Sequence, residues 1–328
     1  MNSEGKGLMT TNTSDDGGFV LDVEGLRMRY GTTDVLREVT FRARHGEVVA
    51  LLGPNGAGKT TTIEILEGFR MRSAGRVSVL GTDPAHADEA WRARVGVVLQ
   101  SWRDHGKWRV RELLAHFGTY YVPYATDTVR RPWDTDELLA AVGLSELAGD
   151  KIRTLSGGQR RRLDVAIGLV GRPELLFLDE PTAGLDPRAR HEFHALVNRL
   201  AAEHRTTILL TTHDLAEAEK LADRIMILSG GRIVADGTAD ELARRTAGAD
   251  EVRWTCGGRR FTHVTAESTR FVRELFREHG EAIGELEVRR ASLEDTYMTL
   301  VHRHGSGGPG GPGEAAGAGD ARAAVTSR

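Results

Sequence analysis

VVALLGPNGAGKTTTIEILEGF, residues 48–69, decides how the rest of the chain is read. Its first five residues, Val48 to Leu52, form a continuous apolar run, the pattern of a strand buried on both faces of a parallel sheet. Its last nine, Thr61 to Phe69, carry a helical pattern. Between them stands G-x-x-x-x-G-K-[ST], realised as Gly53, Gly58, Lys59 and Thr60. Strand, glycine-rich turn and helix in that order let backbone N–H groups wrap a polyphosphate. Glycine removes side-chain obstruction, and the helix aims its positive end at the anion. In that setting Lys59 reaches the β- and γ-phosphates, the Thr60 hydroxyl ligates Mg²⁺, and Pro54, Asn55, Gly56, Ala57 and Thr61 complete the cradle. The chain has only five lysines, so a chance match is on the order of a percent. A glycine-rich turn with a merely solvated lysine is the poorer account.

Two more apolar runs, LLFL (175–178) and TILL (207–210), extend the pattern to an α/β core with helices on both sides of a parallel sheet. Ligands of such sheets lie outside the carboxyl ends of the strands. LLFL ends at Asp179 and Glu180. Beside a phosphate loop, Asp179 suits a direct or outer-sphere Mg²⁺ carboxylate. Glu180 points to the other side of the strand end, where it can orient and activate a water. The plain alternative is a solvated acidic pair opening the turn at Pro181. TTILLTTHD ends in His213, otherwise a structural hydrogen bonder, and VGVVLQ ends in Gln100, whose amide can accept Mg²⁺ or its water. Gln100 alone says little; the strand ends carrying Asp179, Glu180 and His213 can converge on one γ-phosphate.

At about 100–200 residues per domain, 328 residues suggest two domains. Lys and Arg total 44 against 47 Asp and Glu, a net charge of −3, so no bulk field draws nucleic acid and none is expected as a partner. Cys256 is the only cysteine, which excludes an intramolecular disulfide and fits a reducing compartment. No apolar run approaches the roughly 18 residues of a membrane span, and the N-terminus lacks a signal-peptide core. Work at a membrane therefore needs another chain as anchor. Residues 1–17 are polar and 305–328 hold 8 of the 39 glycines, so both read as disordered. Residues 18–246 form the α/β unit. Residues 247–304 read as a small α+β accessory domain, with β-like stretches at Glu251–Thr255 and Glu285–Arg289. Its Phe271, Leu275, Phe276, Leu293, Tyr297 and Leu300 recur at helical spacing and read as its own core or a dimer face.

LSGGQRRRLDVAIGLV, residues 155–170, opens another helix: Ser156 suits its N-cap, and Gly157 and Gly158 leave amides bare. That is a second anion site in one chain. One polyphosphate cannot easily use both, and a site shared between two chains resolves the conflict. The set GPNGAGKTT, VVLQ, LSGGQ, LLFLDEP, AGLD and TTHD, spread over residues 20–240, resembles the ATP-binding cassette ATPases. The resemblance implies a mostly parallel core sheet, an antiparallel β subdomain and a helical subdomain. It further implies ATP and Mg²⁺ as cofactors, and a head-to-tail homodimer in which one chain's phosphate loop and the other's Ser156, Gly157, Gly158 and Gln159 sandwich ATP. By motif, Gln100 is then the Q-loop residue, Asp179 the Walker B carboxylate, Glu180 the catalytic base, Asp186 the D-loop residue and His213 the switch histidine. Tyr30, in LRMRYG, matches the adenine-stacking aromatic, the alternative being a plain strand-end tyrosine.

Chain size and the ending Ser292-Leu293-Glu294-Asp295-Thr296-Tyr297 resemble the daunorubicin-resistance-type ATP-binding subunits. These pair with separate ABC-2 type membrane permeases at the cytoplasmic face of the cell membrane. Thr296 and Tyr297 stand where that group often has Val and Phe. Trp102 and Trp108 are bulky for the segment on which the family docks its membrane partner. The resemblance implies an export ATPase for drugs or other hydrophobic compounds. A cassette protein acting on ribosomes would resemble a tandem fusion, and one acting on chromosomes would carry a long coiled-coil insertion. Here one phosphate loop and one LSGGQ signature, Leu155 to Gln159, are separated only by Thr61–Thr154. A regulatory cassette that does not hydrolyse is opposed by the presence of both Glu180 and His213.

Overall fold

The computed structural model describes residues 18–99, 105–204, 206–247, 250–265, 267–289, 293, 294, 297, 298, 300 and 301. The terminal segments expected to be disordered, 1–17 and 305–328, lie outside the described residues. So do Gln100, Trp102, Ser292, Asp295 and Thr296.

In chain order the strands are β1 (Phe19–Tyr30), β2 (Thr33–Arg44), β3 (Val48–Leu52), β4 (Ala74–Val79), β5 (Val95–Val98), β6 (Leu175–Asp179), β7 (Thr207–Thr212), β8 (Arg224–Ser229), β9 (Arg232–Gly237), β10 (Asp250–Cys256), β11 (Arg259–Thr265) and β12 (Ile283–Arg289). The helices are α1 (Lys59–Leu66), α2 (Glu89–Arg92), α3 (Val110–Thr119), α4 (Thr135–Ala141), α5 (Gly157–Leu169), α6 (Pro187–His204), α7 (Leu215–Leu221), α8 (Ala239–Ala247) and α9 (Ser268–His279).

The central sheet has the order β5-β6-β7-β3-β8-β9, parallel except for β9, which runs antiparallel to β8. Strands β3, β6 and β7 are buried throughout because their side chains alternate between two covered faces, whereas the edge strand β9 is mostly half-buried. Val48, Ala50, Leu52, Leu176, Leu178, Ile208, Leu210, Ile225 and Ile227 enter one core with Leu113, Leu139, Leu163, Phe193 and Leu196 of the helical layer. Val49, Leu51, Leu175, Phe177, Leu209, Met226 and Leu228 enter a second core with Ile63 and Ile65 of α1, Trp91, and the antiparallel sheet β2-β1-β4. The expected architecture of parallel core, antiparallel sheet and helical subdomain is present.

Beyond α8 a separate antiparallel sheet, β11-β10-β12, carries α9 across one face. Its layer is aromatic: Trp254 stacks on Phe261 at 5.5 Å, and the His263 ring lies 4.1 Å from Phe271. Among its described side chains only Val252 and Leu275 are buried. Leu293 behaves differently from the expectation that it packs within this unit. It is buried in the helical-side core of the central sheet, and Tyr297 and Leu300 pack against the same core. The described residues of 293–301 are helical, and Glu294 lies close enough to Glu219 of α7 to add to the burial that raises that carboxyl's pKa. The chain thus returns to the α/β unit after β12. No helix among the described residues is long and apolar enough to cross a membrane.

Candidate active site

The parallel register brings the carboxyl ends of β6, β7 and β3 side by side: Asp179 pairs with Thr211, and Leu52 with Thr212. The turn after β3 then folds over them. A Cβ on Gly53 would sit 2.3 Å from the Leu228 carbonyl oxygen, so no other residue passes here. Gly58, the N-cap of α1, has φ +105°, and a Cβ there would strike Leu36 at 2.6 Å. Both glycines of the motif are thus required by space, one of them also by backbone conformation.

Lys59 is buried, and its Nζ donates to the carbonyls of Gly53 (2.9 Å) and Pro54 (3.2 Å) and stands 3.2 Å from Glu180 Oε1. Thr60 Oγ1 donates to Asp179 Oδ2 at 3.1 Å, and Thr211 Oγ1 to Asp179 Oδ1 at 2.6 Å. The Glu180 backbone N–H donates to Thr211 Oγ1 at 3.0 Å, so one threonine couples both acids. Glu180 Oε2 lies 3.4 Å from His213 Nδ1. Glu180 itself holds φ +43°, a left-handed conformation that costs a side-chain-bearing residue on the order of 1 kcal/mol or more. Asn55, Gly56, Gly58, Lys59, Thr60, Thr61 and Glu180 line an open cavity of about 490 Å³, and a smaller one of about 150 Å³ lies between Glu180, Gly184 and His213. The second has room for a few waters beside both side chains.

Five sequence-predicted residues, Lys59, Thr60, Asp179, Glu180 and His213, therefore meet at one place. Tyr30 ends β1 with its ring half exposed and the Arg70 guanidinium 5.1 Å over it, Arg70 being held by Glu64 at 2.6 Å. Ser156 and Gln159 cap α5 reciprocally: Ser156 Oγ accepts from Gln159 N, and Gln159 Oε1 accepts from Ser156 N at 2.8 Å. Gly158 leaves no room beside Ala189, whose Cβ would be 2.8 Å away. Among the described residues, none of the polar bonds of Ser156 or Gln159 reaches Lys59, Thr60, Asp179 or Glu180. Asp186 accepts from Ala189 N at 2.9 Å and caps α6.

Sequence reasoning missed Thr211, Glu67 and Arg161. Thr211 was visible only as a hydroxyl on the strand neighbouring Asp179. Glu67 ends α1 with Oε2 buried and unbonded; burial, then Glu64, then Asp179 push its pKa up to about 7. Arg161 is buried among backbone carbonyls. A cleft of about 430 Å³ near Trp133 holds none of the phosphate-directed residues; its Arg172 pairs with Glu137, and its Glu174 with Arg94.

The ABC transporter family model matches residues 36–183. A Nod factor export ATP-binding protein of Ralstonia nicotianae is 45% identical over 235 residues, 71% of this chain and 71% of that protein. A daunorubicin resistance ATP-binding protein of Streptomyces coeruleorubidus is 42% identical over 228 residues, 70% of this chain and 71% of that one. A solved ATP-binding subunit of an ABC transporter superposes with a TM-score of 0.60 at 28% identity, covering 86% of this chain and 99% of that one.

Proposed function

We propose that this chain, which belongs to the ABC transporter ATP-binding family and so to proteins that hydrolyse ATP, is the motor subunit of an exporter of drugs or other hydrophobic compounds. The observation that carries the hydrolytic part is the meeting of Lys59, Thr60, Asp179, Glu180 and His213 at three adjacent strand ends beside a helix N-terminus. The export part is supported by the names of its relatives, one for Nod factor export and another for daunorubicin resistance.

In this reading the amides from Gly53 to Thr61 and the N-terminus of α1 take the phosphates. Lys59 exchanges its carbonyl and Glu180 contacts for phosphate oxygens, which frees Glu180 Oε1 to accept a proton from the attacking water. His213, 3.4 Å from the other Glu180 oxygen, is placed to contact the γ-phosphate and hold that carboxylate in register. Mg²⁺ would be held by Thr60 and Asp179, hard oxygen donors already in contact, with Gln100 adding an amide oxygen; it would supply charge neutralisation at the phosphates. Tyr30 stacks the adenine. Ser156, Gly157, Gly158 and Gln159 face the ATP of a second copy, and Asp186 lies at that dimer's seam. A separate ABC-2 type permease binds the dimer and holds it at the cytoplasmic face of the membrane.

The test is to express the chain in its own cell with an affinity tag, purify from detergent-extracted membranes, and identify the integral protein recovered. A polytopic permease whose presence raises ATP turnover is the expected result. Recovery of ribosomal particles in its place would overturn the export reading while leaving ATP hydrolysis intact.

A further inference from the structure

Arg161 lies in the second turn of α5, and its side chain leaves the helix for the strand ends. Its side chain is buried, which is unfavourable for a guanidinium unless each N–H finds an acceptor. The acceptors are three main-chain carbonyls: Nε donates to Pro181 O at 2.6 Å, Nη1 to Leu99 O at 2.6 Å and Nη2 to Asp179 O at 3.3 Å. Asp164, on the same helix, supplies a carboxylate at 3.8 Å.

Two of those carbonyls flank Glu180, the residue with φ +43°. The third belongs to the residue immediately before Gln100. Backbone held in a sparsely populated region persists only where its surroundings over-determine it. Around Glu180 the determinants include Thr211 on its N–H, the Ala183 N–H on its own carbonyl and Arg161 on the carbonyls either side. We propose that Arg161 is a positioning residue for hydrolysis: it holds the strained turn that aims the Glu180 carboxylate, and it ties that turn to α5 and to the segment entering Gln100. The inference rests on the reading of Glu180 as general base. Released from the clamp, Glu180 relaxes towards negative φ and carries its carboxylate off line, and displacements of about 1 Å cost on the order of 10²-fold in rate. Lysine cannot replace the clamp, because an ammonium point charge does not span three carbonyls arranged about a planar fork.

The experiment compares Arg161→Lys and Arg161→Gln with the parent chain in Mg-ATP binding, steady-state hydrolysis and thermal unfolding, with Glu180→Gln and the Arg161→Lys, Glu180→Gln double variant alongside. The expected result is a ten- to hundredfold fall in kcat with ATP affinity kept within about threefold, in protein that folds. The double variant still accumulates the ATP-dependent dimer seen with Glu180→Gln. Parent-like kcat in folded Arg161→Lys, parallel loss of ATP affinity, or failure of both variants to fold would each overturn the proposal. Glu180→Gln separates the two readings: if it turns over like the parent, the base assignment falls and takes this one with it. If it is inactive while Arg161→Lys is fully active, only the role of Arg161 falls.

Discussion

Two helix N-termini in this chain look alike in sequence and differ in what surrounds them. The start of α1 is preceded by two glycines that space forces, and it gathers Lys59, Thr60, Asp179, Glu180 and His213 within contact. The start of α5 is equally glycine-rich, yet Ser156 and Gln159 close on each other. An anion-binding terminus with its own cation and carboxylates can host a reaction; one with bare amides can only complete a site held by something else. The difference fits the proposal of a site divided between two copies, in which the α1 half of each copy carries the chemistry.

The largest effect is expected where the chemistry sits. In Glu180→Gln the amide keeps the shape but cannot take a proton, so hydrolysis should fall by roughly 10²–10⁴ while Mg-ATP still binds and an ATP-dependent dimer builds up. Single-turnover hydrolysis with size-exclusion chromatography reads both. Parent-like turnover would break the comparison at its first half.

The second half is tested by pairing Lys59→Ala with Ser156→Arg. Loss of Lys59 should weaken ATP binding by about a hundredfold, roughly 2.7 kcal/mol. Ser156→Arg gives up an N-cap worth about 1 kcal/mol but should leave ATP affinity of the single chain unchanged, while blocking the dimer and turnover. Calorimetric titration with ATP separates the two. Equal loss of affinity in both variants would mean that α5 serves the ATP of its own chain.

These two termini also mark how far the sequence could be read. The phosphate-loop residues were legible because a strand, a turn and a helix adjacent in sequence fix their geometry, and Asp179, Glu180 and His213 because apolar runs announce where strands end. Arg161 was not legible: its partners are carbonyls of Leu99, Asp179 and Pro181, and a carbonyl leaves no mark in sequence. Leu293 was half legible. Helical spacing showed an apolar face, but only the fold shows that the central core covers it. We propose that the separable accessory part is therefore the β10–β12 sheet with α9, and that the helical residues after it belong with the α/β unit. Leu293→Ala should then destabilise the ATPase unit by about 2–5 kcal/mol, more than Leu275→Ala does, with hydrolysis per folded molecule preserved. Denaturant unfolding followed in parallel with ATP turnover checks this; no change in the midpoint for Leu293→Ala would detach that segment from the core.

The smallest expected effect is electrostatic, and it sharpens the contrast between the two helices. Each carries one acid whose burial raises its pKa: Glu67 at the end of α1 to about 7, and Asp164 in α5 to about 6. Asp164 has Arg160 at 3.5 Å and Arg161 at 3.8 Å to offset burial, whereas the charges that act on Glu67 are those of Glu64 and Asp179, both negative. A carboxyl whose folded pKa lies above its usual value keeps its proton longer in the folded chain. Between about pH 4.5 and pH 7 the folded state thus binds more protons than the unfolded one, and stability falls as pH rises through that window. Glutamine cannot ionise, so Glu67→Gln should gain about 1–3 kcal/mol over the parent at pH 8 and almost nothing at pH 4.5. Asp164→Asn should gain less than Glu67→Gln at pH 8, because it relieves a buried carboxylate but also strips a charge from beside the Arg161 guanidinium. Urea unfolding of both variants at the two pH values decides it. A gain for Glu67→Gln of the same size at both would be a packing effect, and the α1 helix would then carry no excess negative charge to relieve.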